Sequence, residues 1–509
     1  MNSIIKTCVP RSSILTGTFN PEIFTASLGP VIDHYKGRVV HTDKVYTDAE
    51  VFFREATYPT EGLKNTVSSV FRRIAGDATA PSIYRLETAF GGGKTHNLIA
   101  CVHIANCGKN LAGITDNILD PKYLPDPGTV SVVGIAGDEI PVAEVKGDKL
   151  IPYTLWGELA YQIGGEALYN KVRSDAESLA SPGLPFLDTV LGDRKILILF
   201  DELAQYAARL EAAHANGAEQ LAGFLMLLNG YASNHSGIAI IVTLAGTMDA
   251  FASQTGKLTE LLNSVSNTEL SADDAVAIAE KAAAGTTSVV MRHATGVTPV
   301  TAAEISSVLG KRLFESIDQA AAQEAADAYH AMYVRNQSML PADSVSLGYQ
   351  DRIRGTYPFH PSLVDFLNNK LATSENFQGT RGVLRVLAMT VRGIWTRKAP
   401  VSMIHISDID MQNDATVNEI LGRTGSSDLI PVLNADIGAS GTHRLQGGVS
   451  NAQRLDLENP HPDNIPLYEM TWKTIFLNSL VGRSMGIASN VFGVTEREAI
   501  FQTATPIAT

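Results

Sequence analysis

An apolar segment that runs into three glycines, a lysine and a threonine constrains this sequence most. Residues 82–96 read S-I-Y-R-L-E-T-A-F-G-G-G-K-T-H, and a helical pattern starts near Asn97. Glycines let successive backbone N–H groups converge on phosphate oxygens, the lysine can reach the β- and γ-phosphates, and the threonine hydroxyl can ligate Mg²⁺. The N-terminus of the following helix favours the same anion. The residues predicted to bind phosphate are Gly91, Gly92, Gly93, Lys94 and Thr95.

The loop departs from the usual phosphate-binding pattern at one position. In G-x-x-x-x-G-K-[ST] the first glycine would stand at residue 88, where this chain has Thr88. The loop length is kept, but the entry turn differs. The alternative interpretation is a glycine-rich strand-to-helix turn with an incidental lysine.

Two adjacent carboxylates supply the partner that a phosphate loop requires. Residues 195–202 read K-I-L-I-L-F-D-E, so an apolar strand ends in Asp201 and Glu202. Asp201 is predicted to hold Mg²⁺, and Glu202 to polarise the attacking water as general base. Alternatively, the pair only caps a following helix, Leu203–Ala212. Both motifs follow predicted parallel strands, whose carboxyl ends form the ligand-binding edge of open α/β sheets.

Apolar segments that alternate with helical patterns predict a parallel sheet covered on both faces. The predicted strands are Ser82–Glu87, Val130–Ile135, Lys195–Phe200 and Ile238–Thr243, and the predicted helices between them include Asn97–Asn106, Thr154–Ile163 and Ala218–Tyr231. The fold class is therefore α/β, a three-layer P-loop NTPase sheet. An additional strand between the two motif strands, with glutamate after aspartate, indicates the branch of P-loop ATPases that uses a glutamate base. Nucleotide kinases and GTPases fit this pattern less well.

Four segments are predicted along the chain. They are an N-terminal helical region at 1–80, a P-loop ATPase core at 81–267, an α-helical lid at 268–400 and a mixed α/β C-terminal region at 401–509. In the first, Thr60 is predicted to cap a helix at Glu61–Ile74. The strand pattern ends at about residue 268, and Ser402–Ile406 is predicted as a strand of the last segment.

Further polar residues are candidates for contacts with the phosphates. Thr243 ends the fourth predicted strand, and its hydroxyl either touches the γ-phosphate or the attacking water, or hydrogen-bonds locally. Arg381 stands in the first turn of a predicted helix at 378–388, and Arg385 lies one turn later. An arginine at this place either stabilises transition-state charge at the phosphates or is solvated. The arginines considered for action across a subunit interface are Arg292, Arg312, Arg352 and Arg354.

Composition narrows the class of protein. The 509 residues are 45% hydrophobic and 18% charged, which is globular. The net charge of −13 argues against a broadly basic surface that binds nucleic acid. If DNA is involved, we expect contact mainly through a partner or a restricted groove. Three cysteines without metal-like spacing fit a reduced compartment. Without a signal-peptide core or an apolar run of bilayer length, we expect a cytoplasmic protein that does not contact membranes.

Several motifs together resemble a known family. They are V-F-F-R-E-A-T-Y-P-T-E-G-L-K (51–64), L-E-T-A-F-G-G-G-K-T-H (86–96), L-W-G-E-L-A-Y-Q-I-G-G (155–165), I-L-F-D-E-L (198–203), Y-P-F-H-P-S-L (357–363) and T-R-G-V-L-R (380–385). The chain resembles the domain-of-unknown-function 499 family of bacterial and archaeal ATPases. G-G-G-K-T-H with Thr88 in place of the first glycine is this family's form, and it adds His96 to the predicted nucleotide-binding residues.

The resemblance carries expectations about function. The family resembles AAA-like ATPases with an α-helical lid, and its members are often encoded beside adenine-specific DNA methyltransferases and helicases in phage-defence or restriction islands. Partners would therefore be a methyltransferase or helicase of such a system, or further copies of this chain. Members are usually much longer, so this chain is expected to be a fragment.

The expected function is an ATPase with ATP and Mg²⁺ as cofactors, which couples hydrolysis to conformational change in a DNA-modification or phage-defence complex. The alternative is a nucleotide-responsive assembly module with little turnover. The intact Asp201–Glu202 pair favours hydrolysis, because a pure binder needs no base. A metabolic kinase would need an acceptor site and an arginine-rich mobile lid, and the sequence indicates neither.

Overall fold

The computed structural model describes residues 2–16, 24, 26–87, 92–142, 154–243, 255–266, 269–371, 377, 379–481 and 492–506. The chain forms two compact units. One holds residues 26–301, and the other combines residues 1–25 with 302–509. The predicted boundaries after residues 80 and 267 lie inside the unit of residues 26–301, and the boundary after residue 400 lies inside the other unit. The four predicted segments therefore do not match this division.

The strands of the described residues are β1 Cys8–Pro10, β2 Ile83–Leu86, β3 Ser131–Ala136, β4 Ile196–Asp201, β5 Ile238–Thr243, β6 Thr295–Val297 and β7 Phe314–Ile317. Five of them form a parallel sheet in the unit of residues 26–301, in the order β3–β4–β5–β2–β6. The four predicted strands are confirmed with small shifts at their ends. The strand that separates β2 from β4 in space is β5; β3, which lies between them in sequence, forms an edge of the sheet.

Alternating side chains of the central strands feed two hydrophobic cores, one on each face of the sheet. In β4, Ile196, Ile198 and Phe200 pack into one core. Leu197 and Leu199 pack into the other. All residues of β4 and β5 are buried, as expected for parallel strands covered on both faces. The sheet unit is therefore layered, as predicted.

The α-helices of this unit are Leu28–Tyr35, Lys44–Thr47, Ala49–Val51, Glu61–Ile74, Lys94–Cys107, Leu155–Lys171, Arg173–Ala176, Leu184–Val190, Leu203–Ala213, Gly217–Asn234, Thr255–Asn263 and Ala272–His293, with a π-helical turn at Phe52–Ala56. Lys94–Cys107 packs on the same face as Glu61–Ile74. Leu203–Ala213, Gly217–Asn234 and Ala272–His293 cover the other face.

The prediction that residues 268–400 form one helical lid is wrong at its N-terminal end. Ala272–His293 packs its buried alanines against the sheet core, and β6 then adds a fifth strand beside β2. Both belong to the sheet unit. The strand was missed because its three residues T-G-V are short and largely exposed, without the apolar run of a buried strand.

The predicted helix at Glu61–Ile74 is confirmed, including its cap. The Thr60 hydroxyl accepts a hydrogen bond from the Leu63 amide at 3.1 Å and donates one to the Pro299 carbonyl at 2.7 Å. A Cβ on Gly62 would lie 2.0 Å from the Thr298 carbonyl oxygen, so only glycine permits this approach. The start of this helix is thereby joined to the segment that follows β6.

The second unit pairs β1 antiparallel with β7. Its α-helices are Ile4–Thr7, Ser12–Leu15, Ile305–Leu313, Gln319–Arg335, Leu347–Thr356, Pro361–Asp365, Gly379–Arg397, Asp414–Val417, Ile430–Val432, Gly441–Leu445, Asn451–Glu458, Leu467–Asn478 and Glu496–Thr503, with π-helical turns at Phe366–Lys370, Asn418–Gly422 and Leu433–Ile437. The predicted strand at Ser402–Ile406 is wrong. Ile404 forms only an isolated bridge with Phe359, and the described residues after 400 are helices and loops rather than a mixed α/β region.

A buried group of histidines and tyrosines lies in the core of this unit. The rings of His360 and His405 stack with centroids 4.3 Å apart. The Tyr333 hydroxyl lies 2.8 Å from His360 Nε2, and the Tyr329 hydroxyl lies 2.7 Å from His405 Nε2. The motif Y-P-F-H-P-S-L therefore places its histidine in a packed core.

Among the described helices, none is both long enough and apolar enough to cross a bilayer.

Candidate functional site

The described part of the glycine loop leads straight into a helix. Gly93 has φ of 85°, and a Cβ there would lie 3.1 Å from Val300 Cγ2, so glycine suits the position. Helix Lys94–Cys107 starts at the next residue. The Asn97 amide and side-chain Nδ2 both donate to the Gly93 carbonyl at 2.9 Å. Asn97 was not predicted as a site residue, although its place four residues after Gly93 was a usable signal.

The first turn of this helix presents backbone N–H groups. The first amides of an α-helix have no partner inside the helix, and together with the helix dipole they form an anion-binding end. Gly92 is buried, whereas Lys94 and Thr95 are half-buried. Gly91 lies outside the described residues, as does Thr88.

Three polar residues from three different elements meet at the carboxyl edge of the sheet. Thr95 Oγ1 donates to Asp201 Oδ2 at 3.1 Å, and Thr243 Oγ1 donates to Asp201 Oδ1 at 2.5 Å. Asp201 ends β4 and is 7% exposed, and Thr243 ends β5 and is fully buried. Each carboxylate oxygen of Asp201 therefore has a hydroxyl partner. The predicted convergence of the helix start with the end of β4 is present.

The surroundings of Asp201 both raise and lower the pKa of its carboxyl. Burial raises the pKa of its carboxyl, while the hydroxyls of Thr243 and Thr95 and the charge of Lys94 lower it. Asp138, just after β3, adds a further upward effect on this pKa. A carboxylate in such a place is stabilised by cations brought to it.

Glu202 adopts an uncommon backbone conformation directly after Asp201. Its φ is 51°, in the left-handed region, and it forms the N-cap of helix Leu203–Ala213. Its amide donates to Thr243 Oγ1 at 3.0 Å, and its carboxylate accepts a hydrogen bond from Gln205 Nε2. Non-glycine residues in this region are uncommon and cluster at functional sites. The cap and a functional role are compatible, because the cap uses the backbone.

The end of β3 approaches this turn closely. The Gly137 amide donates to the Asp201 carbonyl at 2.8 Å. A Cβ on Gly137 would lie 2.3 Å from the Glu202 carbonyl oxygen, so a larger residue would push the turn away. The buried Arg209 donates to the carbonyls of Gly137 and Asp138 at 3.1 and 3.0 Å. Nothing in the sequence pattern pointed to Gly137 or Arg209.

Thr243 contacts both acidic residues. Its hydroxyl donates to Asp201 and accepts from the Glu202 amide, so it links the ends of β4 and β5. In this arrangement Thr243 holds the two acidic residues in place.

The ring of His96 is engaged by a neighbouring segment. Its Nε2 lies 3.0 Å from Thr57 Oγ1, and it stacks on Phe52 with centroids 4.4 Å apart. The ring of His96 therefore faces this neighbouring segment, while its backbone amide lies in the first turn of helix Lys94–Cys107.

The predicted arginines lie in different surroundings. Arg381 lies in the first turn of helix Gly379–Arg397, as predicted, and belongs to the unit that includes residues 302–509. Arg385 is not solvated, since it is buried and pairs with Glu419 at 3.3 Å. Arg312 is also buried, with its guanidinium 5.4 Å from the ring of Phe24, which argues against a role across an interface.

The other three arginines are accounted for as follows. Arg292 is exposed near the end of helix Ala272–His293. Arg352 pairs with Asp365, and Arg354 pairs with Asp351 at 3.0 Å. Of the arginines considered for an interface, Arg292 alone lies in the sheet unit.

Two family models match the chain, and they cover most of it. Residues 22–263 match the DUF499 N-terminal domain, and residues 301–505 match the DUF499 second domain. The chain belongs to the DUF499 family. The second DUF499 match starts where the structure divides its two units, at residues 301 and 302. Searches of curated proteins and of solved structures find no match.

Proposed function

We propose that this DUF499 chain binds Mg²⁺–ATP at the carboxyl edge of its parallel sheet and hydrolyses it. One observation carries the proposal: the Thr95 hydroxyl, at the start of a helix, lies 3.1 Å from a carboxylate oxygen of Asp201. A hydroxyl and a carboxylate are oxygen ligands of the kind that Mg²⁺ prefers. They stand beside a helix N-terminus and Lys94, which suit phosphate.

The topology of the sheet supports the same proposal. The glycine-loop strand β2 and the acidic strand β4 are separated by β5. The last residue of β5, Thr243, donates a hydrogen bond to the Asp201 carboxylate and accepts one from the Glu202 amide. This order is the one expected for a P-loop NTPase of the additional-strand, AAA-like branch. Ligands of open α/β sheets bind outside the carboxyl ends of the strands, where these residues lie.

Each residue then has a distinct role. Bound Mg²⁺ would supply charge neutralisation at the phosphates. Lys94 and the first-turn amides orient the phosphate chain, and Thr95 and Asp201 hold the metal. Glu202, fixed by its backbone bond to Thr243, accepts a proton from the attacking water.

Nucleotide binding by the chain tests this proposal directly. Lys94→Ala should abolish Mg²⁺–ATP binding, measured by calorimetry, because it removes the positive charge beside the anion-binding turn. Lys109→Ala is the matched control, since Lys109 is exposed and pairs with Asp126. Equal affinity in the wild type and Lys94→Ala would contradict the proposal.

One observation favours the alternative, a nucleotide-responsive assembly module with little turnover. The carboxylate of Glu202 is already bonded to Gln205. If this bond restrains the base, Gln205→Ala should hydrolyse ATP faster than the wild type. If Gln205 instead aims the base at water, Gln205→Ala should be slower, and hydrolysis is the main function.

The second part of the proposal concerns the complex in which the chain acts. We propose that the ATPase cycle drives conformational change in a DNA-modification or phage-defence complex, with a methyltransferase, a helicase or another copy of this chain as partner. The net charge of −13 supports indirect contact with DNA.

The source of an additional arginine separates a monomeric from an assembled site. Arg381 would act within the chain, and Arg292 from a neighbouring copy. An arginine from a neighbour predicts specific activity that rises with protein concentration. It also predicts recovery when Arg292→Ala is mixed with Glu202→Gln. Activity that is independent of concentration and lost only in Arg381→Ala would contradict the assembled site.

A further inference from the structure

The imidazole of His96 is held from two sides by the segment that ends at Thr57. The Thr57 hydroxyl donates its single proton to the Phe52 carbonyl at 2.9 Å. Its 3.0 Å contact with His96 Nε2 is therefore one in which the imidazole N–H donates and Thr57 accepts. The ring also stacks on Phe52 at an interplanar angle of 26°. Both position and tautomer of His96 are set.

We propose that Phe52 and Thr57 are positioning residues for the phosphate loop, and that they act through His96. This inference rests on the proposed nucleotide site. Lys94, Thr95 and His96 occupy one turn of the helix, and successive side chains of a helix are about 100° apart. Holding the ring of His96 therefore restrains the rotation of this helix turn, and with it the directions of the Cα–Cβ bonds of Lys94 and Thr95.

Phe52 and Thr57, which hold the ring, are themselves buried. Phe52 is 0% and Thr57 3% exposed. Phe52 begins the π-helical turn Phe52–Ala56, a form that is rare and often found at functional sites. Three residues after Thr57, Thr60 donates to the Pro299 carbonyl, and a Cβ on Gly93 would lie 3.1 Å from the adjacent Val300. The segment of residues 52–60 thus contacts the glycine loop's surroundings at two points.

A double-mutant cycle tests the inference, with Mg²⁺–ATP affinity of the full chain as its readout. Thr57→Val removes the acceptor and keeps the shape, and His96→Phe keeps the stacking and removes the donor. Each should weaken binding about five- to tenfold, the usual effect of one hydrogen bond. The double variant should be no weaker than either single variant, because both remove the same bond. Thr57→Ser should recover most of the lost affinity.

A matched control separates positioning from general stability. Thr115 is also a buried threonine whose hydroxyl donates to a backbone carbonyl, that of Leu111 at 3.2 Å. Thr115→Val should lower the unfolding midpoint about as much as Thr57→Val, yet leave nucleotide affinity unchanged.

The possible failures are distinguishable. Unchanged affinity in Thr57→Val and His96→Phe, additive losses in the double variant, or equal losses in Thr115→Val would each overturn the positioning role while the nucleotide site stands. A wild-type chain that binds no Mg²⁺–ATP would overturn the proposed function, and this inference with it.

Discussion

The two units of this protein both bury titratable side chains, but they surround them differently. In the sheet unit, Asp201 lies at the edge where strands end and a helix begins, with one hydroxyl on each carboxylate oxygen. In the other unit, His360 and His405 stack in a core and bond to tyrosines that are also fully buried. The first group lies at the carboxyl edge of the sheet, where we propose that the nucleotide binds; the second is enclosed in a core.

A shifted pKa therefore does not by itself identify a functional site. Burial raises the pKa of Asp201 and lowers that of His360 and His405. At Asp201 the shift coincides with a helix N-terminus and a left-handed residue, Glu202. At His360 and His405 the pKa shift coincides with ring stacking and with hydrogen bonds to buried tyrosines. The surroundings decide which reading applies.

The largest effect is expected on hydrolysis, at the residue that follows Asp201 on the sheet edge. Glu202→Gln should keep Mg²⁺–ATP binding and lose ~10²–10⁴-fold in hydrolysis, because only the base is removed. Single-turnover assays beside calorimetry would separate the two. Turnover near that of the wild type would mean that Glu202 serves only as a helix cap.

The matching change in the enclosed group should affect stability alone. The His405 ring lies 2.7 Å from the Tyr329 hydroxyl and 3.0 Å from the Gln502 carbonyl, and His405→Ala removes this partner from both groups. With the cavity, we expect a cost of about 2–4 kcal/mol in the free energy of unfolding. Urea unfolding measures it, and His41→Ala, at an exposed histidine, is the control. A parallel loss of Mg²⁺–ATP affinity at a temperature where the variant is folded would contradict the separation of roles.

Acid should weaken the enclosed group. Burial lowers the pKa of His405 to about 4 and that of His360 well below its usual value. The unfolded chain then binds protons first, so the free energy of unfolding falls as pH drops from about 6.5 towards 4. Asp408 opposes this, because burial raises its pKa to about 6, but one carboxyl offsets only one imidazole.

Urea midpoints at about pH 7 and about pH 5 would measure this slope. His405→Ala should show a shallower dependence than the wild type, since one of the two imidazoles is gone. An equal slope would assign the acid sensitivity to other groups.

The smallest effect sharpens the role of Thr243. Thr243→Val removes a donor from Asp201 and an acceptor from the Glu202 amide. We expect turnover to fall about tenfold, since a hydrogen bond to a charged group contributes roughly 1.5–3 kcal/mol and part of it is recovered by relaxation. Thr243→Ser, which keeps the hydroxyl, should retain most activity. Wild-type kinetics in Thr243→Val would show that the link between β4 and β5 is dispensable.

The sheet and its acidic edge were predictable because their signals are local. Long apolar runs such as I-L-I-L-F specify buried parallel strands, and parallel strands bring their carboxyl ends to one edge. The contact of Thr95 with Asp201 follows from that geometry. The Thr60 cap was equally readable, because a cap depends on residues a few positions apart.

The features that the sequence did not predict depend on contacts between segments that are distant along the chain. β6 and β7 are too short to form an apolar pattern, and each exists because of its partner strand. Gly137 matters only because the turn at Glu202 comes close to it. The division of the chain was also missed, since the N-terminal residues pack with residues after 302.

The pairing of β1 with β7 also sets the order in which this protein can be completed during synthesis. Cys8 is paired with Ile317, so the N-terminal strand emerges from the ribosome long before its partner exists. At about 5–20 residues per second, roughly 300 residues take tens of seconds to make. Until then the edge of Cys8–Pro10 has no partner strand, although residues 26–301 of the sheet unit have already been made. A chain made to begin at residue 26 would never acquire that strand, and β7 would be the part left without its neighbour.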